Sequence, residues 1–160
     1  MTISADQKMP SGAFGVMTES GPGAISSDEL FSGKKVVLVS VPGAFTPTCS
    51  MNHLPGFVDK ADALRGKEVD TIAFMAVNDV FVMDAWGKDR SVGDDVVMLA
   101  DGNGDYAKAL GLELDASGFG MGTRGQRFAI IVDDGVATHV AIEAPGKFEV
   151  SKAEAILQAL

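Results

Sequence analysis

The chain has 160 residues, of which 46% are hydrophobic and 22% charged, so it can bury a core of its own and is not disordered. A formal net charge of −9 argues against a surface for nucleic acid or an anionic membrane, and no apolar run approaches the roughly 20 residues of a membrane span. The single cysteine excludes an internal disulfide, and residues 1–13 lack the apolar core of a secretion signal. We therefore expect one domain over residues 1–160 and a cytoplasmic location.

The predicted elements, taken in chain order, alternate between strands and helices. Apolar or alternating runs predict strands at 14–18, 24–25, 35–41, 69–77, 96–100, 128–132 and 136–143. Helical spacing predicts helices at 26–33, from just after Thr46 to about residue 64, at 78–88, at 106–110 and from residue 151 onwards. Crossovers of this length require parallel pairing among the early strands. The pattern predicts an α/β fold, a mixed central β-sheet flanked by helices.

Turn and capping residues mark the ends of several predicted elements. The first hairpin is expected to turn at Gly21-Pro22-Gly23, the last at 133–135, and the glycine-containing stretch 112–125 is expected to be a long loop. Asn78 is expected to cap the third helix, and capping-box spacing predicts helix starts at two serine–glutamate pairs, Ser26 with Glu29 and Ser151 with Glu154.

The helix after Thr46 carries one apolar stripe that is interrupted once. The stripe comprises Met51, Leu54, Phe57, Val58, Ala61 and Leu64. Pro55 and Gly56 fall inside it, and because proline has no backbone donor, we expect a kink there that does not end the helix.

Cys49 lies where the strand 35–41 gives way to that helix, so it is expected in the first helical turn. Unpaired N–H groups and the positive end of the helix dipole favour thiolate there. Lowering the pKa of a thiol by three units requires roughly 4 kcal/mol, whereas a helix end supplies about 2 at most. A nearby cation or hydroxyl must therefore help; Thr46 can supply the hydroxyl, and a cation has to come from elsewhere in the chain. Without this context, inert packing would be the better interpretation of a lone cysteine.

Arg127 is the candidate cation. The alternation of the strand 128–132 places it on the same face as Ala129 and Ile131, where an arginine is costly to bury unless it pairs with an anion. The alternative is an arginine at a strand end that points into water. Arg124 is nearby, although arginines in loops are most often solvated.

The sequence does not decide the roles of the two histidines. His53 lies four residues after Cys49, hence on the same helical face, and can either orient the site or serve in packing or capping. His139 is expected to be structural or exposed. Two histidines and one cysteine make no metal site, and no cofactor is predicted. The acidic stretch 101–105 imitates a calcium loop, but Tyr106 stands where that loop needs glycine.

The spacing of Pro42, Thr46 and Cys49 matches Pro-x-x-x-Thr-x-x-Cys and resembles the signature of the peroxiredoxins. The stretch 41–50, with 53–57 behind it, resembles their type II subgroup, also called peroxiredoxin five. Further matches follow in the same order at 77–79, 81–82, 86–87, 127–128, 133 and 135. The resemblance spans roughly residues 30–140 and implies a thioredoxin-like (redoxin) fold.

The resemblance also implies the chemistry: a thiol peroxidase that reduces hydrogen peroxide and organic hydroperoxides through a sulfenic acid on Cys49. The family places an arginine before the aromatic residue beside its cysteine, which assigns that role to Arg127. Thr46 and the backbone N–H groups of Cys49 and its neighbour are expected to hold the peroxide, and Pro42 and Phe45 to exclude water. Three further side chains are expected to support the site: Thr48, His53 and Arg124.

Some type II relatives resolve the sulfenic acid with a second cysteine, which this sequence lacks. An external thiol is therefore expected as the reductant: glutathione, glutaredoxin or thioredoxin. Relatives of this kind usually form homodimers, to which Phe45, Phe81 and Trp86 can contribute unless they belong to the core. The alternative function is a redox sensor oxidised at Cys49. A disulfide oxidoreductase lacks its Cys-x-x-Cys pair, and a purely structural module is the remaining possibility.

Overall fold

The computed structural model describes residues 1–160, and its strands and helices follow the predicted order. The strands are β1 Ala13–Thr18, β2 Gly21–Ser26, β3 Lys35–Ser40, β4 Thr71–Ala76, β5 Val97–Ala100, β6 Glu113–Asp115, β7 Thr123–Gly125, β8 Phe128–Asp133 and β9 Val136–Ile142. The α-helices are α1 Ser27–Phe31, α2 Leu54–Asp59, α3 Ala61–Arg65, α4 Val80–Asp89, α5 Asp105–Leu110 and α6 Ala153–Ala159. A π-helical turn covers Cys49–His53, and a 3₁₀ turn covers Ser117–Phe119.

Seven strands form one mixed sheet in the order β2-β1-β5-β4-β3-β8-β9. The central strands β3, β4 and β5 are parallel, as the predicted crossovers require, and the outer pairs are antiparallel. Helices cover both faces. Alternate residues of β3 point into two cores: Val37 and Val39 pack with α2, α3, α4 and α6, while Val36 and Leu38 pack with α1 and α5. The predicted α/β architecture, a thioredoxin-like fold, is confirmed.

The stretch 112–125 was predicted as a loop, and that prediction is wrong. Its strands β6 and β7 pair antiparallel in a small second sheet, with Leu114 opposite Arg124. Strands of three residues joined through glycines carry too short a pattern to be recognised from the sequence. The pairing positions the segment that leads into β8 and Arg127.

Two predicted turns and caps are displaced. The first hairpin turns at residues 19–20, because Thr18 pairs with Gly21, and the predicted glycine–proline turn lies inside β2. Asp79, rather than Asn78, caps α4 by accepting the N–H of Val82 at 2.8 Å. The capping box of Ser26 and Glu29 is present at α1, although the helix ends at Phe31 rather than Gly33.

The closing helix has no side-chain cap. The side chain of Ser151, its predicted capping residue, donates to Glu143, and α6 begins at Ala153.

Strand β9 contains a β-bulge opposite Ile131 and Val132 of β8, which shifts the alternation of its side chains between the two faces of the sheet. As a result Ala137 and Ala141 belong to opposite cores, although regular alternation would place both on one face.

Candidate active site

The loop between β3 and the first helical turn is held in a strained, braced conformation. Phe45 has φ +65°, a left-handed backbone conformation that is unfavourable for a bulky side chain. The side-chain oxygen of Asn78 accepts the N–H of Ala44 at 3.0 Å. Asn78 therefore acts as a brace for this loop and not as the predicted helix cap. Thr46 Oγ donates to the carbonyl of Gly43 at 2.8 Å, closing the loop on itself.

Cys49 begins a π-helical turn that the sequence pattern does not reveal. The N–H of Leu54 donates to the carbonyl of Cys49, five residues back. The wider turn places both Cys49 and His53 in the protein interior, at 0% and 1% exposure, and leaves Met51 70% exposed. Met51 is therefore not part of the predicted stripe. Pro55 falls in the first turn of α2, where no helical partner for its missing N–H is needed.

Trp86 and Ser50 secure the helical turn against α4. The indole N–H of Trp86 donates to Ser50 Oγ at 2.8 Å, and both residues are buried. Trp86 is a core residue, which decides one of the alternatives left open for it. Phe45 and Phe81 are 48% and 63% exposed, so they remain available for an interface.

The structure brings Arg127 and Cys49 together although 78 residues separate them. Antiparallel pairing of β3 with β8 aligns Ser40 with Phe128, so the loop after β3 and the residue before β8 meet at one edge of the sheet. Ser40 Oγ also donates to the carbonyl of Gln126 at 2.9 Å. Arg127 Nη2 donates to Cys49 Sγ at 3.0 Å. A guanidinium at this distance stabilises negative charge on a buried sulfur.

His53 joins Arg127 to the far side of the site. Its Nδ1 lies 2.8 Å from Arg127 Nη1, and its Nε2 lies 3.0 Å from the carbonyl oxygen of Ser151. Burial, reinforced by the charge of Arg127, lowers the pKa of His53 to about 3, against partial opposition from Ser151 and Glu143. The imidazole is therefore neutral, and of the two alternatives for His53 the geometry favours orientation of the site.

Arg124 is placed differently from Arg127. Its Nε donates to the carbonyl of Met121 at 2.9 Å and its Nη1 to the carbonyl of Val77 at 3.1 Å. A Cβ added at Gly43 would lie 3.5 Å from Arg124 Nη1, so this arginine borders the loop before Cys49. Its hydrogen bonds hold backbone segments together and do not reach the sulfur.

A pocket of about 420 Å³ is lined by Pro42, Thr48 and Arg127, and the same arginine contacts the buried sulfur. Glu143 lines it as well, and Phe119 and Phe148 supply aromatic surface. The guanidinium carbon of Arg127 lies 5.9 Å from the centre of the Phe148 ring. The pocket therefore combines a cationic end at the sulfur with an apolar wall.

One of the two backbone N–H groups that are predicted to hold the peroxide already donates a hydrogen bond within the protein. The N–H of Ser50, the residue after Cys49, donates to the carbonyl of Thr46 at 2.9 Å. The N–H of Cys49 has no acceptor in the protein and is the donor that a ligand can use. No group of three or more metal-binding side chains is present, and none of the helices has the length and apolar character of a membrane span.

The fold and the site together define a thioredoxin-like protein with a buried cysteine thiol beside an arginine at the edge of a mixed sheet. The family model described as Redoxin matches residues 4–157. Peroxiredoxin-2B of Arabidopsis thaliana is 52% identical over 135 residues, which cover 84% of this chain and 83% of that protein.

Two solved structures extend the comparison. Reduced Prx3 from Vibrio vulnificus, solved in complex with H₂O₂, has a TM-score of 0.95 at 51% identity and covers 99% of both chains. Peroxiredoxin 5 from Alvinella pompejana has a TM-score of 0.87 at 34% identity, with 98% of this chain and 97% of that chain covered. The chain therefore belongs to the redoxin family, and within it to the peroxiredoxins. These relatives agree with the type II resemblance of the sequence.

Proposed function

We propose that the chain, folded as a single domain over residues 1–160, is a thiol peroxidase that reduces hydrogen peroxide and organic hydroperoxides at Cys49. One observation carries the proposal: the 3.0 Å contact between the Sγ of the only cysteine and Nη2 of Arg127, a residue that also lines a pocket large enough for an organic substituent. In the reaction, the thiolate attacks the terminal peroxide oxygen and forms an S–O bond. The O–O bond breaks, and the departing alkoxide or hydroxide takes a proton, which leaves a sulfenic acid.

Ionisation of the sulfur can explain only part of the rate acceleration that a thiol peroxidase needs. A thiol with an ordinary pKa is about 3% ionised at pH 7, so complete ionisation gains about 30-fold. A pKa three units lower costs roughly 20-fold in nucleophilicity, which nearly cancels that gain. Most of the acceleration must come from groups that hold the peroxide and stabilise the charge developing on its leaving oxygen.

The residues around the sulfur are suited to that task. The Thr46 hydroxyl donates a hydrogen bond to the carbonyl of Gly43, so the lone pairs of the hydroxyl oxygen remain free to accept the O–H of a hydroperoxide. The free N–H of Cys49 and the guanidinium of Arg127 can donate to the peroxide oxygens. Pro42 lines the pocket beside the sulfur, and we assign it and Phe45 to the exclusion of water.

The wall formed by Phe119 and Phe148 supports organic hydroperoxides as substrates, because apolar substituents gain from leaving water there. Thr48 lines the same pocket and is proposed to contact the substrate. Arg124 is proposed to support the site only through the backbone that it holds.

Regeneration is proposed to use an external thiol. The sulfenic acid condenses with that thiol to a mixed disulfide and water, and a second thiol releases the Cys49 thiol and an external disulfide. Glutathione with glutaredoxin, or thioredoxin, would supply the thiols. Half-exposed Phe45 and more exposed Phe81 support a homodimer, and a reducing, cytoplasmic location suits this chemistry.

The test measures second-order rate constants by stopped flow for hydrogen peroxide and cumene hydroperoxide, each with glutathione–glutaredoxin and with thioredoxin. We expect fast oxidation of the wild type and none of the Cys49→Ser variant. Turnover retained by Cys49→Ser would refute the assignment. Slow wild-type oxidation without catalytic turnover would instead identify a redox sensor. Mass spectrometry should detect the mixed disulfide during turnover.

A further inference from the structure

Glu143 is a buried carboxylate that the chemistry described so far does not use. It follows β9 directly and is 7% exposed. One oxygen, Oε2, accepts four hydrogen bonds: from the N–H of Glu149 at 2.8 Å, of Val150 at 2.9 Å and of Ser151 at 2.8 Å, and from Ser151 Oγ at 2.7 Å. Three consecutive N–H groups converging on one oxygen form a backbone nest for an anion, and the chain fills this nest with its own side chain.

The nest fixes a segment that has no regular structure of its own. Residues 143–152 contain neither helix nor strand, so their position depends on such bonds. Glu143 makes no salt bridge, since every carboxylate in the ion pairs of the protein belongs to an aspartate. Its effect on the segment is therefore exerted through hydrogen bonds from three backbone N–H groups and the Ser151 hydroxyl.

Ser151 connects this segment to His53 through its backbone carbonyl. The carbonyl oxygen of Ser151 lies 3.0 Å from His53 Nε2, and the two residues are 0% and 1% exposed. A carbonyl can only accept, so Nε2 must carry the proton. The other nitrogen, Nδ1, is then a lone-pair acceptor, which the permanently protonated Arg127 requires at 2.8 Å. The opposite tautomer would set two donors against each other at that contact.

Glu143 is also connected to Arg127 from the backbone side. The N–H of Glu143 donates to the carbonyl of Arg127 at 3.0 Å. The residue thus holds the main chain of Arg127 directly and the guanidinium through Ser151 and His53. Every bond of the series is between 2.7 and 3.0 Å, and it ends at Cys49 Sγ.

We propose that Glu143 is a positioning residue for the peroxidase reaction. By anchoring the segment that carries the Ser151 carbonyl, it selects the Nε2–H tautomer of His53 and so orients the guanidinium of Arg127 towards Cys49 and the peroxide. The inference rests on the proposed function, since the orientation of Arg127 matters for rate only if Cys49 reacts with peroxide.

The first measurement compares Glu143→Gln with Glu149→Gln. The amide is a weaker acceptor than a carboxylate, so the nest loosens in Glu143→Gln. Misplacement of a catalytic group by about 1 Å can cost roughly 100-fold, and we expect the rate constant for hydrogen peroxide to fall by about 10- to 100-fold. Glu149 is exposed and lies in the same segment, so its variant removes the same charge without loosening the nest and should keep the wild-type rate.

The second measurement reads the tautomer of His53 from the ¹⁵N shifts of its ring. With only two histidines in the chain, His139→Gln assigns the signals. The wild type and Glu149→Gln should show His53 as a single Nε2–H tautomer. Glu143→Gln should move both nitrogen shifts towards a mixture of the two tautomers, and Glu143→Asp, which keeps the carboxylate, should restore part of the rate and of the tautomer preference.

Three outcomes would overturn the proposal: a wild-type rate in Glu143→Gln, an equal loss in Glu149→Gln, or a loss of rate with the His53 tautomer unchanged. The last would mean that Glu143, which also lines the pocket, acts on substrate there instead. If Glu143→Gln does not fold, Ser151→Ala takes its place; it removes one of the four bonds and must lower the rate and shift the His53 tautomer relative to Glu149→Gln, or the proposal fails. An inactive wild type would overturn the proposed function and this inference with it, which distinguishes the two failures.

Discussion

Two buried carboxylates hold backbone N–H groups at different places in the molecule. Asp101, 3% exposed, accepts the N–H groups of Tyr106 and Ala107 at 3.0 and 2.9 Å and so caps the start of α5. Glu143 accepts three N–H groups and a hydroxyl in the segment after β9. Both satisfy main-chain donors that would be costly to bury alone.

The bonds of the two carboxylates end at different groups. The partners of Asp101 belong to the start of α5, where Tyr106 packs on Phe14 with ring centres 4.6 Å apart. The partner Ser151 of Glu143 contacts His53, which contacts Arg127, which in turn contacts the sulfur. The same local chemistry is therefore expected to serve stability in one region and reactivity in the other. The role of a buried carboxylate therefore depends on what its hydrogen-bond partners contact in turn.

The largest expected effect is at the end of the Glu143 region. Arg127→Lys keeps the charge but loses the planar fork that reaches His53 Nδ1 and Cys49 Sγ together. Removal of one preorganised donor typically costs about 100- to 1,000-fold, and we expect the rate constant for hydrogen peroxide to fall by at least about 100-fold in stopped-flow assays.

Arg90→Lys is the matched control for that substitution, because Arg90 is an exposed arginine at the end of α4. Its rate constant should equal that of the wild type. If Arg127→Lys also keeps the wild-type rate, charge alone is sufficient at the sulfur, and the orientation of the guanidinium has no importance.

A second effect is the dependence of stability on pH. The pKa of His53 is lowered to about 3 in the folded protein, whereas an unfolded histidine titrates near pH 6.5. As the pH falls from about 6.5 towards 3, the unfolded chain takes up a proton that the folded chain does not, so the free energy of unfolding decreases. The slope from this residue is at most about 1.4 kcal/mol per pH unit.

Urea unfolding between pH 7.5 and 5 measures this slope. His53→Gln should flatten it, whereas His139→Gln should keep it, since the side chain of His139 makes no hydrogen bond. Below about pH 4.5 Glu143 also contributes. Burial by itself raises its pKa, but the hydrogen bonds from Ser151, Glu149 and Val150 bring it below the usual value. The stability it provides is lost as the pH falls through that lowered pKa. An equal slope in both histidine variants would contradict a neutral, buried His53.

The smallest expected effect is at Asp101. In Asp101→Asn the amide NH₂ faces a backbone donor, which leaves one buried N–H without an acceptor. We expect a loss of about 1–3 kcal/mol in the free energy of unfolding by urea and an unchanged rate constant with peroxide.

Asp105→Asn, at an exposed position in the first turn of α5, provides the control and should cost no more than about 1 kcal/mol. A loss of peroxidase rate in Asp101→Asn that matches the loss in Glu143→Gln would remove the difference between the two regions.

Much of the fold could be predicted from the sequence, because strong periodicity marks its long elements. The apolar run of β3 and the alternation of β8 are present in the order of residues, and their burial follows from it. Short elements failed: β6 and β7 have three residues each, and the π-helical turn differs from an α-helix by a single bond spacing. Neither leaves a pattern long enough to recognise.

The candidate site also contains residues that were predicted from the sequence and residues that were not. Cys49, Thr46 and Arg127 were named from residue types, positions and a family signature. Asn78 was assigned to the wrong task, and Glu143 and Trp86 were not recognised as supports, because their partners lie 34 to 36 residues away or in a segment without regular structure. The match of residues 77–79 to the family pattern was the one available signal for Asn78.

The order of residues identifies the atom proposed to react, since the chain contains one thiol, and it predicts the strand and helix order that places this thiol at a helix start. What surrounds the sulfur depends on tertiary contacts. Antiparallel pairing of β3 with β8 brings in a guanidinium from 78 residues away, and a buried carboxylate fixes the carbonyl that orients the histidine between them. Local patterns encode periodicity and propensity, whereas contacts of this kind depend on register and on burial, which exist only once the sheet has formed.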